Sequence, residues 1–136
     1  MMEHPIYHQI AALPFRRQAR RLEVLMITSR ETKRWVIPKG WPMEGLADYE
    51  AAKMEAFEEA GIDGRIDHTP IGHFDYHKRL KSGDTKFICV QVYGLHVTEL
   101  KRNWPEKHQR KRQWFSPANA AQLVAEVQLK DIIFNL

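Results

Sequence analysis

Lys39-Gly40-Trp41-Pro42-Met43-Glu44-Gly45-Leu46, followed after seven residues by Met54-Glu55-Ala56-Phe57-Glu58-Glu59-Ala60-Gly61, is the stretch whose reading decides the fold. The first part is punctuated by Gly40, Pro42 and Gly45 and reads as a loop. The second part lies in a segment from Asp48 to Ala60 that is rich in Ala, Glu, Lys and Met, all good helix formers. Asp48 is its expected N-cap and Gly61 its expected C′ residue. On a helical wheel with Glu55 at the origin, Glu58 falls at about 300° and Glu59 at about 40°. Three carboxylates therefore share one stripe, with Ala51 and Ala52 beside them. Small neighbours of this kind leave room for a bulky group to approach. Like charges at this spacing repel, so the stripe is compensated either by water or by a cation. Hard divalent ions such as Mg²⁺ and Mn²⁺ take carboxylate oxygens. From spacing alone, a solvated acidic helix face and a cation site are both open.

Working outward, Leu22 to Thr28 reads as a buried strand, and Trp35-Val36-Ile37 as a short one stopped by Pro38, which cannot donate to a ladder. Ile71 to Tyr76 and Phe87 to Val97 have strand composition, with a polar hairpin-like connection from Lys78 to Lys86. Gln113 to Phe115 is a short strand. Ser116-Pro117 is an N-cap followed by proline at N1; it opens a helix to about Val127, and Leu129 to Leu136 reads as a terminal helical turn. Strands around two helices, without repeat or linker, predict one mixed α/β (α+β) domain over residues 1–136. The composition agrees: 43% apolar and 28% charged residues are globular values, not disordered ones. No apolar run reaches the length of a membrane span, and Met1-Met2-Glu3-His4-Pro5 has no secretion-signal pattern. A single cysteine, Cys89, excludes an internal disulfide framework and a multi-Cys zinc site, and fits a reducing cytoplasmic setting. The net charge of +4 permits a polyanionic partner without requiring one.

The glycine loop and carboxylate helix together resemble the Nudix hydrolase box: Gly, five residues, Glu, seven residues, then Arg-Glu-U-x-Glu-Glu-x-Gly-U, where U is aliphatic. Gly40, Glu55, Glu58, Glu59, Gly61 and Ile62 fall at its offsets, and Lys39 completes the Pro-Lys-Gly that often leads into it. Leu46 stands where the box has its first Glu and Met54 where it has Arg. Those two side chains commonly pair in the family. Replacing both partners of an ion pair by apolar residues can be neutral, whereas losing one is costly if the other is buried. The expectation is that an apolar contact replaces the pair. Further along, Ser29-Arg30, Arg34-Trp35-Val36-Ile37-Pro38, Trp104-Pro105-Glu106 and Arg110-Lys111-Arg112-Gln113-Trp114-Phe115 resemble one Nudix branch, the diphosphoinositol polyphosphate phosphohydrolases, whose members also cleave diadenosine polyphosphates. This similarity runs from about Ala11 to Val127.

The resemblance implies a Nudix fold, a mixed β-sheet sandwiched between helices with a loop-helix-loop catalytic motif. It also implies a pyrophosphohydrolase that cleaves a phosphoanhydride bond with Mg²⁺ or Mn²⁺. Glu55, Glu58 and Glu59 are the implied metal ligands, with Glu58 and Glu59 also candidates for the catalytic group. Glu99 and Glu106 are candidates for a further acid outside the box, Glu106 being preferred because it lies in the branch-specific stretch. Lys39, Arg30, Arg110 and Arg112 are the candidate grips for phosphate, the last two sharing one face of an extended segment; Arg16, Arg17, Lys78 and Arg79 are weaker ones. Trp35, Trp104 and Trp114 read as core or rim. The expected partner is a small polyphosphate substrate, acting on a monomer or homodimer. A Nudix-fold module that binds polyphosphate without turnover is the alternative suggested by Leu46 and Met54. RNA binding through Arg16 to Arg21 and Lys107 to Arg112 is less favoured, because aromatic platforms are not interleaved with those basic residues.

Overall fold

The computed structural model describes residues 5–136; Met1 to His4 of the N-terminal reading lie outside the described residues. Its elements are β1 (Ile6–Gln18), β2 (Arg21–Thr28), β3 (Trp35–Val36), β4 (Lys39–Gly40), α1 (Asp48–Ala60), β5 (Ile62–Ile66), β6 (Gly72–Arg79), β7 (Thr85–Leu100), β8 (Arg112–Phe115), α2 (Pro117–Leu123) and α3 (Val127–Phe134). The eight strands form one mixed sheet. Its main path runs β3-β2-β1-β7-β5, with β4 on β1, β6 on β7 and β8 on β2. The β1–β7 pair is parallel and the other pairings are antiparallel.

Period-two alternation on the central strands builds two cores, one on each face of the sheet. On β1, Ala11 and Leu13 face one way and Ile10 and Ala12 the other; on β2, Val24 and Met26 oppose Leu25 and Ile27. The first face is covered by α2 and α3 through Ala120, Leu129 and Ile133. The second is covered by α1 through Ala51, Ala52, Ala56 and Ala60. The expected sandwich of a mixed sheet between helices is thus the observed one.

Several local expectations change. Ala51 and Ala52 are fully buried against the sheet. Their small size lets α1 lie close on β1 and opens no approach to the carboxylates. The N-cap of α1 is Ala47, which has no side-chain acceptor, and Asp48 is the first helical residue. Glu50 reaches back to accept from the Ala47 N–H at 3.4 Å. Lys39–Gly40, expected as loop, is a two-residue strand paired with Ile10 and Ala11. The helix opened by Ser116 ends at Leu123 because Val124 is extended, and α3 begins as a separate helix. The Ser116 cap itself holds, its Oγ accepting from the Asn119 N–H at 3.2 Å.

Candidate active site

Gly61 ends α1 in the left-handed region, with φ of 66°, a conformation glycine adopts without steric cost. Its missing side chain serves a second purpose. A Cβ there would lie 2.5 Å from the Trp104 ring. Trp104 donates its indole N–H to the Glu59 carbonyl at 3.2 Å, and Arg112 lies over the Trp104 ring at 3.9 Å. The Arg112 guanidinium donates to the carbonyls of Ala60 at 2.9 Å, Gly61 at 3.3 Å and Lys101 at 2.8 Å. The last carbonyls of a helix lack internal partners, and a cation at that end also opposes the helix dipole. The side chain expected to grip phosphate is therefore occupied in holding the C-terminal end of α1, together with Trp104.

At the other end of the motif, β4 brings Gly40 against α1. A Cβ on Gly40 would sit 2.5 Å from the Glu55 carboxyl carbon, so only glycine lets this carboxylate lie on the strand. The Glu55 and Glu59 carboxyl groups share a hydrogen bond. Glu59 is 6% exposed. Burial and the bond to Glu55 push its carboxyl up to about 9, against the pull of Arg110. Burial also pushes Glu55 up. Both carboxyls are thus held above the ordinary carboxylate range, Glu59 being the more buried of the two. Glu58 is half-buried beside them, and its carbonyl accepts from the Glu106 N–H at 3.0 Å.

Arg110 joins the two acidic elements. Its Nε donates to Glu106 at 2.9 Å, its Nη1 to the Thr28 carbonyl at 3.2 Å, and its Nη2 lies 3.6 Å from Glu59. The loop between β7 and β8 thereby sets Glu106 next to the box helix, while Glu99, near the end of β7, pairs with Lys101 just beyond it at 3.0 Å and lines neither described cavity. Lys39 donates to the Tyr76 hydroxyl at 3.1 Å, which donates to Gln9 at 2.7 Å. Burial pushes the Lys39 ammonium down, opposed by nearby Glu59. A cavity of about 370 Å³ opens over these groups. Arg30, Arg34, Lys39, Lys78 and Arg110 line it, with Glu31, Glu59 and Glu126 in its wall and Val36, Ile37, Phe74, Tyr76 and Leu129 as its apolar part.

The structure therefore gathers Glu55, Glu58, Glu59, Glu106, Lys39, Arg30 and Arg110, and sends Arg112 elsewhere. Arg16 is also engaged elsewhere, with Glu23 at 3.0 Å and the Trp114 ring at 3.9 Å. Gln9, Arg34, Tyr76 and Glu126 belong to this region but carry no local signal. They meet through sheet pairing between distant segments. Met54 is 41% exposed and Leu46 half-buried, so an ion pair at these positions would be near water, where its net worth is small. Among the described residues no three His, Cys, Asp or Glu side chains are gathered as a formed metal centre. The donor set nevertheless fits a hard divalent ion: carboxylate oxygens on one helix stripe, whose burial and mutual repulsion an ion would offset.

The NUDIX domain family model matches residues 7–136. The chain is 35% identical over 108 residues to Nudix hydrolase 12, mitochondrial, of Arabidopsis thaliana, covering 76% of this chain and 52% of that protein. It is 31% identical over 116 residues to diphosphoinositol polyphosphate phosphohydrolase 3-beta of Bos taurus, covering 84% of this chain and 66% of that one. It spans about half the length of the first of these relatives. Among solved structures, the Ap4A hydrolase of C. elegans superposes with a TM-score of 0.67 at 20% identity, over 96% of this chain and 97% of that one. The NUDIX domain of Shewanella oneidensis NrtR, complexed with ADP ribose, does so with 0.70 at 13% identity, over 98% and 89%. These two likenesses speak for the fold, and the family model and the curated relatives go further: the chain belongs to the Nudix family.

Proposed function

We propose that this chain is a Mg²⁺-dependent pyrophosphohydrolase that cleaves a phosphoanhydride bond in a highly phosphorylated small molecule of diphosphoinositol polyphosphate or diadenosine polyphosphate type. The observation that carries the reading is the juxtaposition of the Glu55 and Glu59 carboxyls, one packed on Gly40 and the other buried in the cavity wall, with the cationic side chains of Lys39, Arg30 and Arg110. A phosphoanhydride needs its crowded negative oxygens neutralised and a water aligned and deprotonated. Glu55, Glu58 and Glu59 would hold the divalent ion, which when bound supplies Lewis-acid neutralisation and a lowered pKa for water. Lys39, held by Tyr76 and Gln9, and Arg30 bind and orient phosphate oxygens. Arg110 reaches from Glu106 toward Glu59 and is placed to exchange a carboxylate for a phosphate oxygen, its planar fork matching either. Glu106 is the preferred acceptor for the proton of the attacking water. The names of the relatives support this substrate class. One domain over the whole chain and a reducing cytoplasmic setting complete the proposal; among the described residues no helix is long and apolar enough to cross a membrane.

Leu46 and Met54, in place of the box Glu and Arg, favour a second reading, a module that binds such ligands without turning them over. Phosphate release from a panel of phosphoanhydrides, with Mg²⁺ and with EDTA, separates the two. Mg²⁺-dependent release on one class of substrate supports the enzyme. Tight binding of the same compounds without release promotes the module.

A further inference from the structure

A second cavity, of about 590 Å³, lies beside the candidate active site, and of its lining residues only Arg110 has a role above. Its walls come from Thr28 at the end of β2, Lys33 and Trp35 at the start of β3, and the segment 107–111 before β8. Lys33, Lys107 and Lys111 line it along with His108 and Arg110, and no carboxylate does. Among the described residues, none of the three lysines has a carboxylate within ion-pair distance. The Lys107 ammonium donates to the neutral amide of Asn103, at 3.1 Å. Like charges gathered in a cleft without counter-charge raise its potential and concentrate anions there.

The backbone beneath these side chains is fixed. Lys33 has φ of 58°, the left-handed region that a non-glycine residue enters at a cost and keeps only where its surroundings hold it. Here the turn is closed by hydrogen bonds from the Lys33 N–H to the Ser29 carbonyl at 3.1 Å and from the Ser29 N–H to the Arg34 carbonyl at 2.7 Å. Lys111 is tied to the end of β2. The Thr28 N–H donates to the Lys111 carbonyl at 3.0 Å, and the Lys111 N–H donates to the Thr28 hydroxyl at 2.9 Å.

The two cavities adjoin. Arg110 lines both. Arg30, from the first, donates to Gln109, from the second, across an exposed 3.3 Å hydrogen bond. That single contact to a neutral amide bridges the rims, and an anion lying between them offers Arg30 a better acceptor.

We propose that the second cavity is a distal phosphate subsite. It takes the trailing phosphates of a substrate whose scissile anhydride lies over Glu55 and Glu59, with Arg110 shared between the two ends. This rests on the reading of the first cavity as a phosphoanhydride hydrolase site. Lysine ammoniums suit an anion of variable geometry, being point charges rather than planar forks. A nucleic-acid strand fits the cleft less well, because Trp35, the large aromatic in its wall, already packs edge-on against Phe115 with ring centroids 4.9 Å apart.

The test is the Lys33→Ala/Lys111→Ala double variant, which leaves every named active-site side chain in place. Equilibrium binding of inorganic tripolyphosphate and of a linear polyphosphate several times longer is measured by calorimetry in EDTA, alongside hydrolysis kinetics with Mg²⁺. Two exposed lysine–phosphate contacts amount to about a tenfold change. The expected result is therefore about tenfold weaker binding of the long chain and a KM raised by the same factor, with kcat and tripolyphosphate binding unchanged. Equal losses for both lengths, no loss for either, or tighter and more lysine-dependent binding of single-stranded RNA of matched charge would overturn the subsite. Lysine-dependent binding of the long chain without turnover of any substrate would support the subsite and overturn the catalytic reading instead.

Discussion

Removing the Arg112 side chain is expected to destabilise the fold and leave the affinity for phosphate largely intact. The guanidinium donates to three carbonyls at 2.8–3.3 Å and lies on Trp104 at 3.9 Å. A hydrogen bond to a charged group is worth about 1.5–3 kcal/mol net when buried. Arg112 is half-buried, and water would partly replace it at the three carbonyls. We therefore take about 1 kcal/mol for each bond, or about 3 kcal/mol for Arg112→Ala, against a total stability of roughly 5–15 kcal/mol. In urea, with a slope of about 2 kcal/mol/M, the midpoint should fall by about 1.5 M; the melting temperature should fall by roughly 10 °C. Arg112→Lys should recover only part of this, because one ammonium cannot match three carbonyls in the plane of a fork. The assay is urea denaturation followed by tryptophan fluorescence and circular dichroism, with KM measured on the surviving folded fraction. A midpoint unchanged within about 0.2 M together with a KM raised tenfold or more would refute the reasoning. That result would return Arg112 to the substrate-binding role its sequence position suggests.

Glu59 gives a pH prediction. Its folded-state pKa of about 9 lies above the ordinary 4.5, so between these values the folded chain holds a proton that the unfolded chain releases. Stability without divalent ion should therefore fall as pH rises from 4.5 to 9, and Mg²⁺ added at pH 7 should release close to one proton; calorimetry in buffers of different ionisation enthalpy measures this, and release of none would contradict it. Gly40→Ala should cut turnover by about a hundredfold or more while the chain remains folded, since its Cβ would displace the Glu55 carboxylate from 2.5 Å; near-normal kcat would count against the site geometry. Met54→Arg should change stability by less than about 0.5 kcal/mol, because the position is 41% exposed; a clear gain in a denaturant titration would show that a buried partner still waits for the charge.

Much of the fold is legible in the chain because its signals are local. The Ala- and Glu-rich run from Asp48 to Ala60, the glycine that ends it and the Ser116-Pro117 start of α2 are written in neighbouring residues, and each falls where expected within a residue. The extent of β1 through Arg16 and Arg17, and the strand character of Lys39–Gly40, depend on partners far along the chain. The sequence separated a helix from Ser116 and a terminal helical turn from Leu129, but set their boundary several residues late, because the extended Val124 that ends α2 carries no local signal. The site divides in the same way. Spacing put Glu55, Glu58 and Glu59 on one helix stripe, and the motif resemblance made them candidate ligands. Glu106 and Arg110 came from the motif resemblance, and the structure brings both to the box helix. Alternation along an extended segment suggested that Arg110 and Arg112 share one face, yet β8 begins only at Arg112. It could not foresee that Arg112 meets the end of α1 and Arg110 the acidic pair. Nor could spacing foresee the Tyr76 and Gln9 support of Lys39, which exists only because β1, β6 and β7 are neighbours in the sheet.

The central claim is that Glu59 turns from a buried, protonated carboxyl into an ion ligand that makes hydrolysis possible. The most direct test compares Glu59→Gln with the parent chain in Mg²⁺-dependent phosphate release from a cleaved phosphoanhydride. Without metal the carboxyl is already neutral, so the amide is close to isosteric and the variant should fold with a melting temperature near that of the parent. Its kcat should nevertheless fall about a thousandfold, roughly 4 kcal/mol of barrier. A folded Glu59→Gln variant that retains more than about a tenth of the parent's metal-dependent rate would contradict the account.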